Sequence, residues 1–320
     1  MRFVFRADSS KFSGAGHVMR CSALAEEAIS RGLECVFVGT ISSSDWLLDR
    51  ISNLGFSNIY EPNDFNPQKN RDVLILDTYE INIAEDFIER TRWKKIILIA
   101  DQQTPAYQAD LIIHPGLEGG WYNGDRGIFL AGSKYIPFRK SITKNHREVS
   151  RELNRLVVFG GGTDYFGLAT KIAEIIKDLE GYNYATFISN QRNLIESLDP
   201  RFSVIEFGFD MDQEISRADL VLTTASTSSF EILARELPLG IACTVENQKS
   251  NYEVLGNLGL ASQIGERTPN GQWSLNPHNI SRLINDYSYR SNLVSKGKNI
   301  FDLKGSQRII DAIILHIETI

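Results

Sequence analysis

No stretch of this sequence approaches the ~20 consecutive apolar residues that a membrane-spanning helix needs. Nor does the N-terminus run through the basic, apolar and small-residue regions of a secretory signal, so a cytoplasmic protein with no membrane span is expected. Cysteine is scarce. Cys21, Cys35 and Cys243 are the only three in 320 residues, and they stand in apolar surroundings without paired spacing, as small buried thiols of a reducing compartment do. No Cys/His cluster has the spacing of a zinc site, and no metal is expected. Long Lys/Arg clusters are missing too, and with a net charge of −6 nucleic acid is not expected as the main partner. Anionic ligands must then be bound locally, by backbone amides and a few arginines.

What the chain does hold is alternation. Its 42% hydrophobic and 23% charged residues suit a globular protein without disorder, and 320 residues suffice for about two domains, each with its own core. Continuous apolar runs at 3–5, 35–38, 73–76, 96–99 and 111–113 are predicted strands covered on both faces, as in a parallel sheet, with shorter candidates at 58–60 and 128–131. Segments of helical spacing fall between them, at 18–29, at 46–54 with Ser44 as candidate cap, and near 83–92. The polar run 140–152 reads as a solvated linker. After it the pattern restarts, with strands at 156–159, 184–188, 204–207, 220–222 and 241–245 and helices at 165–179, at 212–217 and from Ser226. The expected fold is α/β: two Rossmann-like βα domains, 1–145 and 146–320, facing across a cleft.

The most informative stretch follows the first strand: Arg6-Ala-Asp-Ser-Ser-Lys-Phe-Ser-Gly-Ala-Gly-His-Val-Met-Arg20. Gly14 and Gly16 permit a loop that wraps a ligand tightly, and the first N–H groups of the following helix favour a phosphate or diphosphate. His17 stands at that helix start, where the dipole disfavours the imidazolium and leaves the neutral ring that a general base must have. Arg20, one turn on, is placed to reach a phosphate oxygen. A blander reading stands beside this one. Glycines after a first strand are common in doubly wound folds, and His17 is then a capping or surface residue. The stretch is not a dinucleotide fingerprint, because Met19 occupies the place of the third glycine.

Ligands of open α/β sheets lie beyond the carboxyl ends of the strands, which puts Asp77 and Tyr79 in the same cleft as His17. Capping of the next helix is the alternative for Asp77. His114, before Pro115, reads as structural. In the second half Gly160, Gly161 and Gly162 make a turn, and Asp210 and Asp212 read as helix-capping rather than metal-holding. Over 218–240 a strand runs out into hydroxyl residues and a helix begins near Ser226. Ser226, Thr227 and Ser228 make a second positive helix end suited to a diphosphate, and Glu231, a turn later, is placed to accept from two sugar hydroxyls. The alternative is a Ser/Thr cap that Glu231 strengthens. Glu246-Asn247-Gln248 forms a polar cluster at the end of the next strand.

Together these stretches resemble a known family, the sugar-nucleotide hydrolases of pseudaminic acid biosynthesis, which release UDP from a UDP-linked diacetamido-trideoxy-hexose. The likeness runs over nearly the whole chain. It is most specific in Arg6-Ala-Asp-Ser and Gly14-Ala-Gly-His-Val-Met-Arg20-Cys, and continues in Asp77-Thr-Tyr79, Gly132-Ser-Lys-Tyr135, Phe159-Gly-Gly-Gly-Thr-Asp164, Ala218-Asp219, Ser226 to Glu231 and Asn247-Gln248. The resemblance implies a GT-B-like fold shared with glycosyltransferases, a UDP-sugar substrate and no cofactor. It implies His17 as catalytic base, Asp77 and Tyr79 near the sugar, Ser226 and Thr227 near the diphosphate, and Glu231 on the ribose. Arg6, Asp8, Gly14, Gly16, Arg20, Gly161 and Asn247 fall in its substrate-facing loops. Two departures stand out. The family's Gly-Gly-Ser-Thr is Thr224-Ala-Ser-Thr227 here, and its paired Asp after 96–99 is Asp101-Gln102. The expected reaction is water attack at the anomeric carbon with inversion. The alternatives are a glycosyltransferase with a hydroxyl acceptor and a non-catalytic UDP-sugar binder; the set His17, Asp77 and Tyr79 weighs against a binder.

Overall fold

The computed structural model describes residues 1–10, 14–42, 45–78, 89–100, 109–117, 127–145, 147–208 and 210–318. It divides into two compact units, Met1–Lys140 with Asp302–Ile320, and Ser141–Phe301.

The first unit carries β1 (Arg2–Arg6), α1 (Gly16–Ser30), β2 (Glu34–Val38), α2 (Asp45–Asn53), β3 (Asn58–Tyr60), β4 (Asp72–Leu76), β5 (Lys95–Ile99), β6 (Leu111–His114) and β7 (Ile128–Ala131). Its sheet runs β3-β2-β1-β4-β5-β6-β7, and these pairings are parallel. Successive side chains of a strand serve opposite faces. Phe3, Phe5, Val73 and Ile75 pack with Val18, Cys21 and Leu24 of α1, whereas Val4, Leu74 and Leu76 pack with Phe65 and Trp93. Burial on both faces is why these strands read as unbroken apolar runs. All three cysteines are buried free thiols, and burial pushes Cys35 up to about 12 and Cys243 up to about 11.

The second unit carries β8 (Leu153–Phe159), α3 (Leu168–Ile176), β9 (Tyr182–Ile188), α4 (Arg192–Glu196), β10 (Phe202–Ile205), α5 (Asp210–Arg217), β11 (Leu220–Thr224), α6 (Thr227–Ala234), β12 (Leu239–Cys243), α7 (Lys249–Asn257), β13 (Ser262–Arg267), β14 (Trp273–Leu275), α8 (Pro277–Asn285) and α9 (Tyr287–Gly297). Its sheet, β10-β9-β8-β11-β12-β13-β14, repeats the order of the first, with β14 antiparallel to β13. Leu156, Val158, Phe187 and Leu222 pack under Ile172 and Ile176 of α3 and Leu283 of α8.

Three expectations are corrected. The second unit does not run to 320, because α10 (Gly305–Glu318) returns to the first. Ile309, Ile310 and Ile313 join the core of Phe3, Val18 and Leu24, Ser306 Oγ donates to the Phe138 carbonyl at 3.0 Å, and a Cβ on Gly305 would stand 1.9 Å from the Ile136 carbonyl oxygen. Helix α3 starts at Leu168 rather than 165, since Asp164 (φ 47°) and Gly167 (φ 69°) take left-handed conformations that no helix tolerates. Asp212 lies inside α5 instead of capping it; its Oδ1 pairs with Arg235 at 2.7 Å and its Oδ2 accepts from Ser141 Oγ at 2.8 Å. Ser44 and residues 83–88 of the expected helix lie outside the described residues, and Arg90–Arg92 is a single 3-10 turn.

Among the described residues no helix is long and apolar enough to cross a membrane. Among them, too, no group of three or more His, Cys, Asp or Glu side chains is placed to hold a metal ion.

Candidate functional site

Strands β1 and β4 are neighbours in register, Arg6 beside Leu76, so the residues that follow them emerge together at the carboxyl edge of the first sheet. Asp77 N–H donates to the Arg6 carbonyl at 2.9 Å, which holds Asp77 against the end of β1. The Arg6 guanidinium reaches Asp8 at 2.6 Å, and Asp8 Oδ1 accepts from Thr40 N–H at 2.8 Å, tying this turn to the end of β2. Gly14 closes the turn in a left-handed conformation (φ 68°), its N–H donating to the Ser10 carbonyl at 2.9 Å. Gly16 then begins α1.

His17 and Arg20, one turn apart on α1, both point at Asp77. His17 Nδ1 lies 2.6 Å from Asp77 Oδ1, while Arg20 donates through Nε to Oδ2 at 2.8 Å and through a terminal nitrogen to Oδ1 at 2.7 Å. All three side chains are buried. A carboxylate only accepts, so in this contact His17 Nδ1 is the donor, which makes Nε2 the ring nitrogen for any base chemistry. The same Arg20 nitrogen stands 3.0 Å from Nδ1 because both donors converge on one carboxylate oxygen. A positioned imidazole with a fixed tautomer is the arrangement general-base catalysis requires.

In the second unit the adjacent parallel strands β8 and β11 bring two turns side by side. Gly161 is left-handed (φ 84°), and a Cβ there would stand 3.5 Å from Thr224 Oγ1. Thr224 Oγ1 donates to Ser226 Oγ at 3.0 Å. Ser226 occupies the N-cap position of α6 with extended backbone, yet its side chain makes no cap bond; its carbonyl instead accepts from Ser229 N–H at 2.9 Å and Ser229 Oγ at 2.6 Å. The simple Ser/Thr cap is therefore not what is observed. Below this, Asp164 is buried, accepting from Ala169 N–H at 3.3 Å and from Ser189 Oγ at 3.3 Å. Desolvation outweighs those hydrogen bonds and pushes its carboxyl up to about 6.

No protein-family model matches the chain. A UDP-2,4-diacetamido-2,4,6-trideoxy-beta-L-altropyranose hydrolase of Campylobacter jejuni is 22% identical over 268 residues, which is 81% of this chain and 97% of the relative. Among solved structures, the calicheamicin glycosyltransferase CalG4 superposes with a TM-score of 0.63 at 13% identity, covering 99% of this chain and 98% of CalG4. MnaA of S. aureus, solved with UDP, superposes with a TM-score of 0.63 at 13% identity, covering 100% of this chain and 97% of MnaA. The fold is GT-B-like.

On this GT-B-like frame the residues singled out by sequence fall into local groups. His17, Arg20 and Asp77 meet in one cluster, with Arg6 and Asp8 in the adjoining turn. Asp77, expected beside the sugar, is buried against His17, and Arg20, expected on a phosphate, holds that carboxylate. Tyr79, Asp101 and Gln102 lie outside the described residues. Gly161, Ser226 and Thr227 share the β8–β11 edge, Glu231 is half-buried within α6, and Asn247 is exposed on the separate turn Glu246–Gln248. Two participants were missed. Thr224 replaces a glycine of the family pattern and contributes a hydroxyl, and Asp164 had no role. An Asp after a glycine triplet and shortly before a helix is a capping signal that pointed to the latter.

Proposed function

We propose that this protein is an enzyme acting on a UDP-sugar, and that it hydrolyses a UDP-linked diacetamido-trideoxy-hexose in nonulosonic (pseudaminic) acid biosynthesis. The observation that carries this reading is the buried His17–Asp77–Arg20 cluster at the carboxyl edge of the first sheet. The likeness to the C. jejuni hydrolase, which spans nearly all of that relative, supports the substrate class. In the proposed reaction Nε2 of His17 takes a proton from water as its oxygen attacks the anomeric carbon. The bond from that carbon to the diphosphate oxygen breaks, and UDP leaves with inversion. Asp77 and Arg20 keep the imidazole aimed, and Tyr79 is the residue we propose as a sugar contact. The leaving diphosphate is met by the first amides of α6 with Ser226 and Thr227, and Glu231 takes the ribose hydroxyls. Each pre-aimed donor of this kind is worth about 3 kcal/mol in a dry site.

A glycosyltransferase is the second reading, favoured by the likeness in fold to CalG4. It handles the same donor and replaces water with an acceptor hydroxyl. Incubating the protein with the UDP-sugar in buffer alone and following free UDP separates the two. A hydrolase releases UDP without an acceptor, a transferase does not, and a binder releases none under any condition. His17→Asn is expected to slow release about 10²–10⁴-fold while leaving UDP binding nearly intact; near-wild-type turnover removes His17 from the mechanism.

A further inference from the structure

Asp164 belongs to none of the roles assigned so far, yet the second unit's glycine turn is built around it. The residue holds a left-handed conformation (φ 47°) that only a few non-glycine residues adopt, and its carbonyl accepts from Gly167 N–H at 2.9 Å. Its Oδ1 lies against Gly160 so closely that a Cβ there would stand 1.8 Å away. Gly160 leads to Gly161, Gly161 to Thr224 Oγ1, and Thr224 to Ser226, the residue proposed for the diphosphate. One carboxyl group thus underlies the whole turn.

We propose that Asp164 is the positioning residue of this turn, occupying the first amides of α3 with a resident carboxyl and setting Gly160 and Gly161 against Thr224 and Ser226, and that the turn accepts a nucleoside diphosphate best when Asp164 carries a proton. The proposal rests on the UDP reading above. The groups facing the carboxyl are Gly160 after β8, the Leu168 and Ala169 amides of α3, and Ser189 Oγ at the end of β9. None of them is charged. Burial raises this carboxyl from its ordinary 3.8 to about 6, so the folded turn holds the proton more firmly than a solvated chain does. By linkage, acidification through pH 6 stabilises the folded turn. It also removes a negative charge beside the place a diphosphate takes, and both effects act in the same direction.

The test is UDP affinity by calorimetry for the full wild-type chain, Asp164→Asn and Asp164→Ala, between pH 7.5 and 5.5. UDP itself titrates in this range, so the readout is the ratio of wild-type to Asp164→Asn dissociation constants, in which that titration cancels. Asp164→Asn is expected to bind roughly tenfold tighter than wild type at pH 7.5, with the ratio closing toward one at pH 5.5. Asp164→Ala, which leaves the α3 amides without their partner, is expected to bind more weakly than Asp164→Asn throughout. A ratio indifferent to pH, or Ala and Asn variants of equal affinity, overturns the role of Asp164. Wild-type protein that binds no UDP at any pH overturns the UDP reading instead. Amide exchange over 160–169 reads the turn in that case: wild type is expected to exchange more slowly, relative to Asp164→Asn, at pH 5.5 than at 7.5, and an unchanged ratio overturns the proposal.

Discussion

Asp77 and Asp164 are both buried carboxyl groups beyond the carboxyl end of a parallel strand, one in each unit, and the two sheets share a strand order. Their surroundings differ. Asp77 is answered by the Arg20 guanidinium and by His17, and the cluster it makes orients a base. Among the described residues Asp164 is answered by neutral donors, and burial pushes it up to about 6. Asp77 thus serves as a support for two other side chains, whereas a buried carboxyl matched by dipoles becomes responsive to pH. Repetition of a topology therefore does not repeat its chemistry.

The comparison breaks most readily where the units close. The first unit depends on α10, delivered from the far end of the chain, while the second is continuous from Ser141 to Phe301. Ending the chain after Phe301 removes Ile309, Ile310 and Ile313, each fully buried and worth roughly 1.5–3 kcal/mol. The first unit is expected to become protease-sensitive while the second resists; equal resistance of both would show that α10 is dispensable.

Next in size is the paired carboxyl. Asp77→Ala removes the buried carboxylate that Arg20 and His17 share and is expected to cost about 3–5 kcal/mol in urea unfolding. Asp77→Asn keeps the shape but offers His17 Nδ1 a different tautomer, so turnover is expected to fall roughly 10²–10⁴-fold with little change in KM. Unaltered turnover would detach Asp77 from His17.

Asp164→Asn tests the other side. The carboxyl binds its proton more tightly folded than unfolded, so its contribution is full below pH 3.8 and is lost as pH rises through about 6. Wild type is expected to lose about 2.4 kcal/mol relative to the Asn variant between pH 4 and 7, measured as unfolding free energy against pH. Parallel curves would mean that the charge is compensated as fully as that of Asp77. The smallest effect is a control on a pair at the surface. Arg31 and Asp311 join α1 to α10 in the solvent, and Asp311→Ala is expected to change stability by about 0–1 kcal/mol, well below the buried pair. A loss comparable to that of Asp77→Ala would show that exposure, too, fails to separate these pairs.

Much of the architecture was legible because parallel strands buried on both faces must be apolar without interruption. The runs 73–76 and 96–99 fall on β4 and β5 for that reason. The stretch from Arg6 to Arg20 stood out because glycines between a strand and a helix precede His17 and Arg20, and the fold brings those two side chains onto Asp77. The start of α3 was not, since Asp164 and Gly167 take left-handed conformations of which the apolar side of 165–179 carries no trace. The membership of α10 was equally hidden. A helix records that it has an apolar face but not which core that face meets.

Pattern and composition alone determined that this chain makes two α/β units with parallel sheets, because periodicity and burial are local consequences of which residues are apolar. They also nominated His17, Asp77, Ser226 and Glu231 as residue types at telling places. Only the tertiary structure decided that Arg20 holds Asp77, that Asp77 sets the tautomer of His17, and that Asp164 underlies the glycine turn. Hydrogen bonds between residues 57 to 60 positions apart depend on how strands pair in space, and strand pairing is a property of the folded sheet rather than of any one segment.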